Sequence, residues 1–114
     1  MARFSSETSV QGPVTLVYLT GAVDQNTSAD LETALRGPVR AGARKLVIGM
    51  KDLGFMSSAG WGLLLSVVKE VRAGGGTVAV SAMAPEIRHV YHLLGMKAFV
   101  KEYANESDAV SAIG

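Results

Sequence analysis

The side chains best placed to do chemistry crowd into one stretch, Asp52-Leu53-Gly54-Phe55-Met56-Ser57-Ser58-Ala59-Gly60-Trp61-Gly62. Its two adjacent serines come after a strand-like run and precede a helical one, so their hydroxyls stand at a strand-to-helix turn. Ser58 is well placed to cap the following helix, because serine is a preferred capping residue, and the small residues around it let that helix approach a sheet closely. This structural role accounts for the pattern without any function. A functional reading stands beside it. A hydroxyl exposed at a helix start is reachable by a kinase, and the free N–H groups and dipole of that helix end tolerate a phosphate.

Other groups carry less. Gly74-Gly75-Gly76 lies between a helix and a strand, the reverse of the P-loop order, and lacks its Lys-Ser/Thr ending, so it reads as a helix cap and turn. His89 and His92, three apart with Glu86 nearby, could touch a metal, but two surface imidazoles are the commoner explanation, and no metal or cofactor is expected. A serine hydrolase would need glycine two residues before its nucleophile, where Ser58 has Met56. It would also need His89 or His92 as base with Asp24 or Asp52 to orient it, and nothing in the spacing supports that. A receiver domain would need more acids at strand ends than Asp24 and Asp52 provide. Trp61 reads either as a core residue on the first turn of a buried helix or as a partly exposed anchor for a partner. Leu63 and Val67 lie off the main stripe of that helix, which suits a docking face and a helix wedged between neighbours equally well.

The elements that must position these groups are set by periodicity. Val14–Thr20, rich in β-branched residues, predicts a strand, and the more polar Phe4–Val10 an edge strand joined to it through Gln11-Gly12-Pro13. A helix capped by Thr27 or Ser28 carries Asp30 and Glu32 in its first turn and Leu31, Ala34 and Leu35 on one face, until Gly37-Pro38 breaks or kinks it. Lys45–Met50 is a short apolar run of the kind buried on both faces. Trp61, Leu64, Leu65, Val68 and Val71 then repeat at helical spacing. Thr77–Ser81 reads as a strand, Pro85–Leu94 as a helix stopped by Gly95, Ala98–Lys101 as a last strand, and Ser107–Ile113 as a terminal helix. A hairpin with strict alternation after it predicts an α/β fold, a mixed and mostly parallel sheet of about five strands with about four helices.

Composition narrows the class. The 114 residues suit one domain spanning 1–114, with 48% hydrophobic and 18% charged residues. No apolar run approaches the roughly 18 residues of a membrane span, so no membrane insertion is expected. Met1-Ala2-Arg3-Phe4-Ser5 passes into polar residues without a signal-peptide core, which points to a cytoplasmic protein. There are no cysteines, and a net charge of +1 with both signs interspersed leaves no footprint for nucleic acid.

Met56-Ser57-Ser58-Ala59-Gly60-Trp61-Gly62, with Asp52-Leu53 before it and Leu63-Leu64-Leu65 after it, resembles the signature of bacterial STAS-domain anti-sigma-factor antagonists. Leu19–Asp24 resembles their strand leading into a Gly-x-x-Asp turn, and Ala84-Pro85-Glu86-Ile87 with Leu94-Gly95 their third helix and its exit. The resemblance implies a partner-switching module, not an enzyme, and a monomer when free. Its partner would be an anti-sigma factor that is also a serine kinase with a GHKL-type ATP site, and a serine phosphatase would reset it. It implies phosphorylation on Ser58, or on Ser57 as the alternative, and a partner-binding patch of Asp24, Ser57, Ser58, Ala59, Gly60, Trp61 and Gly62. Ser57 stands where the family usually has Asp, which leaves open a phosphorylation-independent scaffold in a signalling or transport assembly.

Overall fold

Strands with consecutive apolar residues must bury both faces of their sheet, because neighbouring side chains point to opposite sides. In β2 (Val14–Val23), Val17 and Leu19 face one core while Val14 and Leu16 face another. β3 (Lys45–Met56) divides Leu46 and Ile48 from Val47 in the same way, and β4 (Thr77–Ser81) divides Val78 and Val80 from Ala79. This is the period of two expected of a pleated strand. The computed structural model describes residues 3–114; Met1 and Ala2, part of the N-terminal run considered for a leader, lie outside the described residues.

The sheet has five strands in the order β1-β2-β3-β4-β5, with β1 at Ser5–Gln11 and β5 at Lys101–Tyr103. β1 pairs antiparallel with β2 through the Gly12-Pro13 turn, and the remaining neighbours are parallel. Gly12 sits at φ +59, where a Cβ would be strained. Crossovers of one hand between strands in unbroken order put every connecting helix on the same face. Helices α1 (Ser28–Arg40), α2 (Ser58–Ala73) and α3 (Pro85–Leu93) accordingly bury Leu31, Leu35, Trp61, Leu64, Val68, Ile87 and Tyr91 in the larger core. The closing helix α4 (Glu106–Ile113) covers the other face with Ala109, Val110 and Ile113. This is the expected single α/β domain with its N-terminal hairpin.

Several boundaries differ from the expectation. α1 does not stop at Gly37-Pro38 but runs on to Arg40. Pro38 lies in its final turn, where the missing N–H costs one bond, and Ala41, Gly42 and Ala43 close the end by donating to Gly37, Val39 and Pro38 carbonyls. β3 extends six residues past Met50, held by pairing with Thr20–Val23 across two register shifts, although Lys51–Met56 has no continuous apolar pattern. The last strand is displaced from Ala98–Lys101 to Lys101–Tyr103. Met96–Ala98 forms a 3-10 turn after Gly95, which is left-handed at φ +67, so the chain reaches β4 only at Lys101 opposite Ala79.

Candidate functional site

Parallel strands end together, so the turn leaving β2 and the turn leaving β3 become neighbours. Val23 is in register with Met56, and the Ser57 N–H donates to the Val23 carbonyl at 2.8 Å. The turn opening at Asp24 and the start of α2 are thereby brought side by side, about one strand spacing of 4.8 Å apart. This joins the two segments that carry the sequence motif.

The Asp24 turn is tied to itself. Asp24 Oδ1 accepts from the Asn26 N–H (2.8 Å) and the Thr27 N–H (3.1 Å). Thr27 Oγ1 donates to the Ala22 carbonyl and accepts from the Asp24 N–H, both at 2.9 Å. Thr27 is the residue before α1, but its hydroxyl braces the turn and does not cap the helix. Asp24 therefore works first as an Asx-turn residue, half-buried with one oxygen committed to the backbone.

At the start of α2 the two serines divide their labour, and the expected capping residue changes. Ser57 is the N-cap, in extended conformation at φ −69 and ψ 166, and its Oγ accepts from the Gly60 N–H at 3.2 Å. Its carbonyl takes the first helical bond, from the Trp61 N–H at 3.1 Å. Ser58 is the first residue inside the helix and is exposed, as is Ala59. With Ser57 capping, the Ser58 hydroxyl has no bond to any other described residue and faces solvent.

Two small residues and one large one set the surroundings. A Cβ on Gly60 would fall 2.6 Å from Met56 Cγ and 2.9 Å from Val23 Cγ1, so its absence lets α2 close onto the strand ends. Around Gly62 there is open space. Trp61 is only 2% exposed and packs against the Tyr91 ring, with centroids 6.4 Å apart, so it is a core residue and not an exposed partner anchor. Val67 is likewise buried, and Leu63 packs partly against the core, which removes them as a separate docking face.

The structure adds apolar groups that the motif did not point to. Ser58, Trp61, Gly62 and Leu65 line a hollow with Leu94 and Met96, residues just beyond α3. Leu94 is 53% exposed on its rim, and Phe55, two residues before the Ser57 cap, is 49% exposed. The spacing of Ile87, Val90, Tyr91 and Leu94 predicts a buried stripe on this helix, but α3 ends at Leu93 and Leu94 is left at the surface. An exposed hydroxyl on the lip of an apolar hollow can join a protein contact when neutral and oppose it when charged.

The histidines lie elsewhere. His92 Nε2 sits 3.3 Å from Glu102, whose carboxylate is held bidentately by Arg88 at 2.7 and 3.0 Å. Those Arg88 bonds, before any other cause, keep the Glu102 carboxyl below the ordinary glutamate range. Neither histidine bonds to Ser58, so the Ser-His contact that a hydrolase requires is not formed. Among the described residues no group of three His, Asp or Glu side chains could hold a metal ion. Among those residues, too, no helix is long and apolar enough to cross a membrane.

The model of the STAS domain family matches residues 5–109. BtrV of Bordetella bronchiseptica, assigned provisionally as an anti-sigma factor antagonist, is 30% identical over 97 residues, covering 85% of this chain and 83% of its own. The crystal structure of an anti-sigma factor antagonist from Mycobacterium paratuberculosis superposes with a TM-score of 0.90 at 25% identity, over 97% of this chain and 94% of that one. The Bacillus cell fate determinant SpoIIAA, solved in its phosphorylated form, shares the fold with a TM-score of 0.74 at 23% identity, over 98% of this chain and all of its own.

Proposed function

The chain belongs to the STAS-domain family, and from that premise we propose that it is an anti-sigma-factor antagonist whose binding is switched off by phosphorylation of Ser58. The observation that carries this reading is the division between the serines: Ser57 holds the helix end, so Ser58 is exposed at its first turn with no structural task. The partner is an anti-sigma factor that doubles as a serine kinase with a GHKL-type ATP site, and a serine phosphatase resets the cycle in the cytoplasm. The binding patch is the Asp24 turn, the exposed Ser58, Ala59 and Gly62 beside the Ser57 cap, and the hollow with Leu94 on its rim, while the buried Gly60, Trp61 and Met96 support it from beneath.

The physics of the switch is local. A phosphate on Ser58 adds about −1.5 to −2 charges beside free helical N–H groups and the positive end of the helix dipole, which the fold itself tolerates. SpoIIAA in its phosphorylated form keeps the same fold, which supports that expectation. At the rim of an apolar hollow, however, the dianion must stay hydrated, and a partner covering it would strip that water away. A loss of about 3 kcal/mol weakens binding more than a hundredfold. Aspartate and serine are equally good N-caps, so Ser57 in the place of the family's usual Asp keeps the cap and removes one negative charge beside the acceptor.

The test is phosphate incorporation after incubation with ATP and candidate anti-sigma kinases, read by intact mass and peptide mapping, for wild type, Ser58→Ala and Ser57→Ala. One phosphate, lost only in Ser58→Ala, is the expected result, and partner release should accompany it. Loss only in Ser57→Ala would move the site by one residue. No incorporation with binding intact would replace the switch by a phosphorylation-independent scaffold, the reading that Ser57 in place of Asp leaves open.

A further inference from the structure

The two edges of the sheet are built differently. β5 is three residues long, two of its side chains are charged, and one of them, Glu102, is engaged by Arg88 and His92. β1 is seven residues long, about 24 Å, with every residue exposed. It has one charged residue, Glu7, no proline, and an unbroken register from Ser5 opposite Thr20 to Gln11 opposite Val14. Proteins ordinarily protect such an edge with charges, proline, bulges or brevity, because its unpaired backbone groups are a template for another strand. β5 carries those protections and β1 does not.

The outward groups can be assigned. A two-residue connection at Gly12-Pro13 makes Gln11 and Val14 a pair that exchanges both backbone bonds, so Gln11, Ser9, Glu7 and Ser5 turn their N–H and C=O toward β2. Ser6, Thr8 and Val10 therefore turn theirs outward. The same three side chains share one face of the strand, and Thr8 and Val10 line a hollow with Thr15, Gly37, Pro38, Ala41 and Ala43, where Val10 is 71% exposed.

We infer that β1 is a homodimer edge: two copies pair antiparallel about Thr8 and continue the sheet across a two-fold axis. Centred there, Thr8 lies opposite Thr8, Ser6 opposite Val10 and Glu7 opposite Ser9. About six backbone bonds form, and no like charges face each other directly. Any register centred on Glu7 would oppose two carboxylates, so the charge that fails to protect the edge selects the pairing. The partner is a second copy because this edge is complementary to itself under a two-fold operation. One seven-residue edge is small against the roughly 1,000 Å² of a stable interface, so the dimer is weak and forms only at high concentration. β1 does not line the hollow at Ser58, so each copy keeps that patch open. This departs from the monomer that the family resemblance implies for the free chain.

Sedimentation velocity between about 10 µM and 1 mM, beside hydrogen exchange, tests it. The expected result is a concentration-dependent dimer in wild type, with the Ser6, Thr8 and Val10 amides gaining protection as concentration rises. Thr8→Pro removes an outward N–H that the hairpin does not use, and Thr8→Lys sets two ammonium groups opposite each other; each should weaken association at least about tenfold. Thermal unfolding checks that the variants are folded, and the lysine variant carries the test if the proline one is not. A wild type that stays monomeric throughout, a dimer that survives in the folded variants, or protection that rises elsewhere would overturn the inference.

Discussion

The serine turn at the start of α2 and the imidazole pair on α3 are both polar clusters at the surface, and they differ in what the fold has already spent. Around α3, Arg88 and His92 converge on Glu102, fastening the helix to the last strand. Of the residues that looked most like a catalytic or metal site, His92 is engaged in holding structure, while His89 and Glu86 are exposed and do not converge with it on any group. At α2 one serine does the structural work and its neighbour is left over. Availability, more than chemical potency, distinguishes the two regions. A hydroxyl is a poor nucleophile without a base, but as a substrate for another enzyme it needs only exposure.

The comparison breaks most visibly if the floor beneath the serine turn is removed. Trp61→Ala should cost about 3–5 kcal/mol of stability, read as a lowered urea midpoint. A loss below about 1 kcal/mol would mean that the ring is not part of the core and return it to the role of partner anchor. Gly60→Ala should cost less, about 1–3 kcal/mol, because its Cβ would press on Met56 and Val23, side chains able to shift in part. The same substitution should slow phosphate incorporation by displacing the Ser58 turn. Unchanged incorporation in a destabilised Gly60→Ala protein would show that the kinase does not read that geometry.

How much of this the sequence displays varies along the chain for physical reasons. Elements with strong internal periodicity are legible: Val17 and Leu19 against Val14 and Leu16, or Trp61, Leu64, Val68 and Val71. The tail of β3 is not, because Lys51–Met56 is held by the neighbouring strand and not by an apolar pattern of its own. β5 is misplaced because Phe99 and Val100 look strand-like, yet Val100 is buried against α3, with its carbonyl accepting from the Tyr91 hydroxyl. The serine motif was visible, whereas the choice of Ser57 as cap depends on one residue of helix phase. Leu94 and Met96 join the site only through tertiary packing, about 36 residues downstream of Ser58, and no local pattern brings them there.

The two serines sharpen the comparison on a smaller scale. Ser57→Ala removes a cap and should cost about 0.5–2 kcal/mol, while Ser57→Asp, an equally good cap, should cost almost nothing. Ser58→Ala should stay within about 0.5 kcal/mol of wild type and lose the phosphate. Denaturant midpoints for the three variants decide it. Equal losses at both serines would mean that they share the cap, and Ser58 would no longer be spare.

The smallest effect belongs to the α3 side and is one of pH. Glu102 is faced by Arg88, His92 and Lys97, with the Tyr91 phenol nearby, and the Arg88 bonds lead in holding its carboxyl below the ordinary value. A carboxylate depressed in the folded state contributes stability that is fully present above its unfolded pKa. That contribution is lost as the pH falls through the folded one, because the unfolded chain binds the proton first. Glu102→Gln should therefore lower the melting temperature slightly at pH 7, where the ion pair is lost, and the difference should close below the glutamate range. The effect is small because Arg88 is exposed and the pair is screened by solvent. A gap between variant and wild type that persisted at low pH would mean that Glu102 supports α3 by packing and not by charge. The claim that the α3 cluster has committed its charges to structure would then fail, and Arg88 and His92 would be as available as Ser58.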